Sequence, residues 1–283
     1  MLRILIAMLA AVSLMATAET AVPEMTDKNG YVEPFRMFDN LYYVGDKWVS
    51  SYVVETSAGL VIIDTLDFPY SRWIPLNLKK LGLAHKPVSH ILVTHGHSDH
   101  AGGAAYLQSR YDAEVIMSQA GLQLAIEQAN KSQGENTFVA PRVTAFAQDD
   151  SSITIGDTRF KLYLTPGHTE GDMSIDFMVN DNGQQQRAFV VGGHGVNFKA
   201  AGLAEKFISS MNRTRALALE TPQITVNLAN HPHKNQLFEK RDKNALNKRG
   251  DNAFIGHLDF LNFIAEQQAL ARKKSPQSNA EAP

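Results

Sequence analysis

Four residues of metal-ligand type fall within six positions: His95, His97, Asp99 and His100, in the run Thr94-His95-Gly96-His97-Ser98-Asp99-His100. The apolar stretch Ile91-Leu92-Val93 precedes them and small residues follow. A strand therefore ends, a glycine turns the chain, and a helix begins. On extended backbone His95 and His97 point to the same side and can share one metal ion. Asp99 and His100, at the helix start, can turn toward a neighbouring ion. Imidazole nitrogen and carboxylate oxygen together suit borderline divalent ions such as zinc.

Further ligands lie downstream. His168 sits on the turn Thr165-Pro166-Gly167-His168-Thr169-Glu170-Gly171-Asp172, after an expected strand, and is placed to complete the His95/His97 site. His231 follows another apolar stretch and is placed to complete the site that Asp99 and His100 begin. His233 and His257 are weaker candidates. The chain has no Cys, so no disulfide can form and any metal must be held by His, Asp or Glu.

The elements that must position these residues alternate in type. Short strands are expected within 32–49, around a turn at Gly45-Asp46, and at 50–56, 60–64, 88–93 and 114–117. Helices are expected at 71–81, 100–110 and 119–133. The second half repeats the style, with strands at 153–155, 160–164, 174–179, 188–191 and 224–228, and helices at 203–219 and 257–272. Strands interleaved with helices in both halves imply an α/β fold of sheets covered by helices.

At the N-terminus, Arg3, the apolar run 4–16 and Ala16-Thr17-Ala18 read as a signal peptide. The run falls short of the roughly 20 apolar residues a spanning helix needs. The expected organisation is a signal peptide at 1–18, one domain at 19–272 and a polar, disordered tail at 273–283. The expected location is periplasmic or secreted, with no stable membrane anchor after cleavage. A formal net charge of -2 offers no electrostatic case for nucleic acid.

Three motifs carry a family resemblance. The H-x-H-x-D-H run at His95 to His100, the T-P-G-H-T-x-G turn at His168 and the segment Gly59-Leu60-Val61-Ile62-Ile63-Asp64-Thr65 resemble those of the metallo-β-lactamase superfamily. The resemblance covers nearly all of the expected mature chain. His231-Pro232 after an apolar strand, and Asp251-Asn252-Ala253-Phe254-Ile255 before the last helix, make the chain most similar to the third subclass of zinc β-lactamases, which uses no Cys ligand.

That resemblance implies a four-layer αβ/βα sandwich with two Zn2+ ions at one edge of its sheets. His95, His97 and His168 would hold one ion, and Asp99, His100 and His231 the other. Asp64 would support the ligand loop. Asp99 would also be catalytic, orienting a hydroxide formed between the zincs and shuttling a proton. The partner would be a small-molecule substrate, a β-lactam or a lactone. A purely structural zinc protein fits poorly, because structural sites are closed four-ligand ones.

One position departs from the family pattern. Gly193-His194-Gly195 stands where relatives carry a Cys or Asp ligand or, in the third subclass, a Ser. His194 is thus a candidate ligand or substrate contact. Asn197 and Lys199 are candidates to replace the serines that hold a β-lactam carboxylate. The leading expectation is hydrolysis of the β-lactam ring. The alternative is hydrolysis of lactones or other esters, with weak or no β-lactamase activity. Residues 135–142 and the stretch after His194 are candidates to cover the substrate.

Overall fold

Leu60-Val61-Ile62-Ile63 is an unbroken apolar run, which suits a strand buried on both faces. It lies in β4 (Gly59–Ile63), where every residue is buried. The computed structural model describes residues 21–195, 202–247 and 250–274. It places β4 at the centre of a seven-stranded sheet. The other strands are β1 (Phe35–Phe38), β2 (Leu41–Tyr43), β3 (Tyr52–Thr56), β5 (Val88–Leu92), β6 (Glu114–Met117) and β7 (Ala145–Phe146), arranged in chain order.

The first four strands pair antiparallel, and β4 to β7 pair parallel. Parallel neighbours need crossovers, which here are helical. α1 (Trp73–Lys80) joins β4 to β5. α2 (Ser98–Ala101) and α3 (Ala104–Tyr111) join β5 to β6, and α4 (Gln119–Lys131) follows β6.

The second sheet holds β8 (Ser151–Ile155), β9 (Thr158–Leu164), β10 (Met173–Asp181), β11 (Gln184–Val191) and β12 (Ile224–Ala229). Its pairs are antiparallel except β11 with β12, which are joined through α5 (Leu203–Leu219). α6 (Leu237–Leu246) and α7 (His257–Lys274) end the described chain.

Alternation along the strands divides the apolar residues among three layers. Val61 and Ile63 face the second sheet, where they join Phe160, Ile175, Phe177 and Val226 in a core between the sheets. Leu60 and Ile62 face the other way, onto Ile74, Leu78 and Leu107 of the helices. On the far side of the second sheet, Tyr163, Phe189 and Val191 meet Phe207 and Met211 of α5 and Phe260 and Ile264 of α7. Helix, sheet, sheet and helix therefore stack in that order, the αβ/βα sandwich.

The sheets are tied together at one edge. Met173 N–H donates to Thr94 O at 2.8 Å, and Ser50 N–H to Asn230 O at 3.0 Å. The Tyr52 hydroxyl donates to Ala229 O at 2.7 Å. The chemistry-bearing ends of β5 and β12 meet at that edge.

The expected helix at 100–110 is two helices, broken at Gly102-Gly103. A Cβ on Gly102 would stand 2.4 Å from Ser98 O, and one on Gly103 would stand 2.4 Å from Thr65 O. The break lets the segment after β4 pass close against α2. The last helix extends to Lys274, so the first two residues assigned to the tail are helical. β7 and α6 were not expected. Residues 1–18 and 275–283 lie outside the described residues. Among the described residues no helix is long and apolar enough to cross a membrane.

Candidate metal centre

β5 delivers His95 and His97 at its C-terminal end, and α2 presents Asp99 and His100 in its only turn. The turn after β9 carries His168, and the end of β12 carries His231. The structure brings these six together as two groups of three: His95, His97 and His168, and Asp99, His100 and His231. Within each group the nearest ligand-type atoms lie within 4.8 Å of one another.

In the first group, His97 Nδ1 lies 3.1 Å from His95 Nε2 and 3.1 Å from His168 Nε2. The outer nitrogens are held by carbonyls: His95 Nδ1 faces Gly192 O at 3.0 Å and His168 Nδ1 faces Gly195 O at 3.3 Å. A carbonyl only accepts, so the ring hydrogens belong on Nδ1 and the Nε2 lone pairs turn inward. Burial lowers the pKa of His95 well below the ordinary value, and the neighbouring imidazoles add to the effect. Burial, then His97, lowers His168 to about 4. His97 is lowered by burial too. Three neutral imidazoles converging on one point form a donor set for a cation.

In the second group, His100 Nε2 is 3.2 Å from Asp99 Oδ2, and His231 Nε2 is 3.8 Å from the same oxygen. His231 Nδ1 donates to Trp48 O at 2.8 Å. His100 Nδ1 donates to Asp64 Oδ2 at 2.9 Å. Burial opposes the charged form of His100, but Asp99 and Asp64 outweigh it and raise the pKa to about 10. Burial would raise Asp99, but His100, His231 and His97 hold it well below the usual carboxylate range. The field here therefore favours positive charge. Among the described residues, buried His100 Nε2 makes no well-directed hydrogen bond, its one polar neighbour being Asp99 Oδ2 at 3.2 Å. A metal ion would fill that orphaned position, so the donor set fits zinc.

Asp64 sits at the hub. Its Oδ1 accepts from Thr94 N–H at 2.7 Å and its Oδ2 from the Thr94 hydroxyl at 2.8 Å. It binds the backbone before His95 and the ring of His100 together, at a left-handed φ of 59°.

Asp172 does similar work for the other ligand turn and was not singled out in the sequence. It accepts from His168 N–H at 2.8 Å and from Thr169 N–H at 2.9 Å. Burial raises its pKa to about 7. A carboxylate four residues after a turn histidine was the available signal.

His194 joins neither group. Its ring is buried edge-on to Phe263 at 5.1 Å and lies 6.5 Å from the His231 ring. Neither ring nitrogen has a hydrogen-bond partner. Asn197 and Lys199 lie outside the described residues. His233, 5.9 Å from the His231 ring, and His257, bonded to Ile224 O, also stand outside the groups. The segment at 135–142 packs against α3, where Gln108 bonds both the carbonyl and the N–H of Arg142.

The sequence profile of the metallo-β-lactamase superfamily matches residues 45–181. The probable metallo-hydrolase YybB of Bacillus subtilis (strain 168) is 39% identical over 84 residues, 29% of this chain and 36% of that protein. Over the curated relatives first matched, the chain spans 36% and 39% of their length. Solved structures are covered more fully. BJP-1, a subclass B3 metallo-β-lactamase of Bradyrhizobium japonicum, is 25% identical with a TM-score of 0.78, over 88% of this chain and 96% of that one. The FEZ-1 metallo-β-lactamase of Legionella gormanii shares the fold at 23% identity and a TM-score of 0.76, over 86% and 95% of the two chains. With its four layers and its ligand-rich edge, the chain carries a metallo-β-lactamase superfamily domain at residues 45–181 and the fold of that superfamily. Its structural neighbours include subclass B3 enzymes.

Proposed function

We propose that the chain is a zinc-dependent hydrolase that opens the β-lactam ring, exported to the periplasm. The observation that carries this reading is the pair of Cys-free ligand groups, completed by His168 and His231 at the edge where the sheets meet. Two bound zinc ions would supply Lewis acidity and a water acidified to near neutral pH.

The chain's own groups do the rest. Asp99 is ionised, and its side chain is 28% exposed beside both groups. It orients the attacking water, accepts its proton and passes a proton to the amide nitrogen as the C–N bond breaks. Asp64 and the Trp48 carbonyl fix the rings of His100 and His231, and Asp172 fixes the backbone that carries His168, so that none moves during this transfer. Export is supported by the apolar run and A-x-A pattern at the N-terminus.

A second reading, hydrolysis of lactones or other esters, draws on His194. A buried imidazole without a partner stands beside His231 where the third subclass resemblance calls for a serine. The test is a substrate panel on zinc-loaded mature protein: a carbapenem, a penicillin and an acyl-homoserine lactone. The expected result is chelator-sensitive turnover of the two β-lactams. Turnover of the lactone alone would favour the second reading and sink the first.

A further inference from the structure

Ala120, Gln123, Leu124 and Glu127 recur three and four residues apart in α4 and so share one face of that helix. The face lines a cavity of about 360 Å³, whose other walls are His97, His168 and residues 169–171. His97 and His168 belong to the first ligand group, so the cavity adjoins the metal centre on that group's side.

Its walls are fixed by close contact. The Ser118 hydroxyl donates to Gly171 O at 2.6 Å, and a Cβ on Gly171 would stand 2.2 Å from Gly121 N. Helix and ligand turn therefore touch backbone to backbone beside the cavity. Ala120 and Leu124 give it an apolar wall. Its two carboxylates differ. Glu170 is paired with Lys206, Oε2 to Nζ, at 2.6 Å. Glu127 is exposed, and its hydrogen-bond partner among the described residues is Gln123 Nε2 at 3.4 Å, a neutral and weak donor. Among the described residues no Lys or Arg lines the cavity.

Asp99 decides which half of a substrate reaches this space. In the reaction proposed above it passes a proton to the amide nitrogen, and it belongs to the second ligand group. The amine half of a β-lactam then lies over the second group, and the acyl half, with its side group, over the first. We propose, resting on that β-lactam reading, that the cavity receives the acyl-side group of the substrate. Glu127 there favours a cationic group over an anionic one.

Three penicillins that differ at one carbon of that side group provide the test. Ampicillin carries an amine there, benzylpenicillin a hydrogen and carbenicillin a carboxylate. KM and kcat are measured on the zinc-loaded chain at about pH 6.5, where an α-amine is protonated. An exposed charge pair supports a change of about two- to fivefold. Relative to benzylpenicillin, Glu127→Gln should raise KM for ampicillin and lower it for carbenicillin by factors of that size. The kcat ratios should hold, as expected for a contact made equally before and in the transition state. Glu127→Lys, at the same exposed helical position, should carry both shifts further in the same directions. Absent shifts, or shifts of one sign for both charged substrates, would overturn the proposal and leave β-lactam hydrolysis standing. Turnover of none of the three by the wild-type chain would overturn the β-lactam reading itself, and the proposal with it.

Discussion

Asp64 bonds to three groups at once: Thr94 N–H, the Thr94 hydroxyl and His100 Nδ1. Removing its carboxylate frees the strand end that carries His95 and leaves the His100 ring without its anchor. Asp64→Ala should therefore weaken zinc binding by about 10- to 100-fold, the usual cost of losing such a support. Competition against a chelator measures this, and unchanged affinity would remove Asp64 from the account. Asp46 offers a pH test. Its Oδ1 accepts from Trp48 N–H and Val49 N–H, both at 2.7 Å, and burial raises its pKa to about 6. The folded chain holds that proton more tightly than the unfolded chain does. Stability should thus fall as pH rises from the unfolded carboxylate pKa, about 4, to about 6, by on the order of 2–3 kcal/mol, and stay level above. Asp46→Asn keeps an oxygen acceptor in place and should abolish that fall, seen by denaturant unfolding between pH 4 and 7. A parallel fall in the variant would assign it to another group. At this scale the sequence shows the ligand-type residues because their spacing is dense. It hides Asp172 and the Trp48 carbonyl, since one is a single acid on a turn and the other is backbone.

Glycines decide how closely the elements around the centre approach. Gly96 lies between His95 and His97, and a Cβ there would stand 2.1 Å from Gly121 O and 2.6 Å from Ala125 N. Both are backbone atoms of α4, so the helix would have to shift. Gly96→Ala should destabilise the fold by roughly 1–3 kcal/mol, as overpacking does, and reduce zinc content through the displaced histidines. Thermal unfolding with metal analysis reads both effects, and a variant with wild-type values would contradict the close packing. The strands near the centre are legible because their apolar runs are long and bounded, as at β4 and β5. The α2–α3 break is less so, because periodicity continues across it and only the Gly-Gly pair marks it. β7 has two exposed residues, and α6 buries only Leu237, so neither offers an apolar pattern to read.

Two sheets meeting along one edge bring together residues as far apart in sequence as His95 and His231. Composition and alternation were enough to give helices over sheets. They were not enough to give the order β12-β11-β10-β9-β8, which depends on which strand ends must converge on the ligands. The family motifs imply which turns share a metal, but no strand order was read from them. The central claim is that this edge holds two ions with three protein ligands each. Native mass spectrometry of the zinc-loaded chain tests it directly. Two zinc ions per chain, reduced to one in His231→Ala, is the predicted result. A single ion in the wild-type chain, or two retained in the variant, would contradict it.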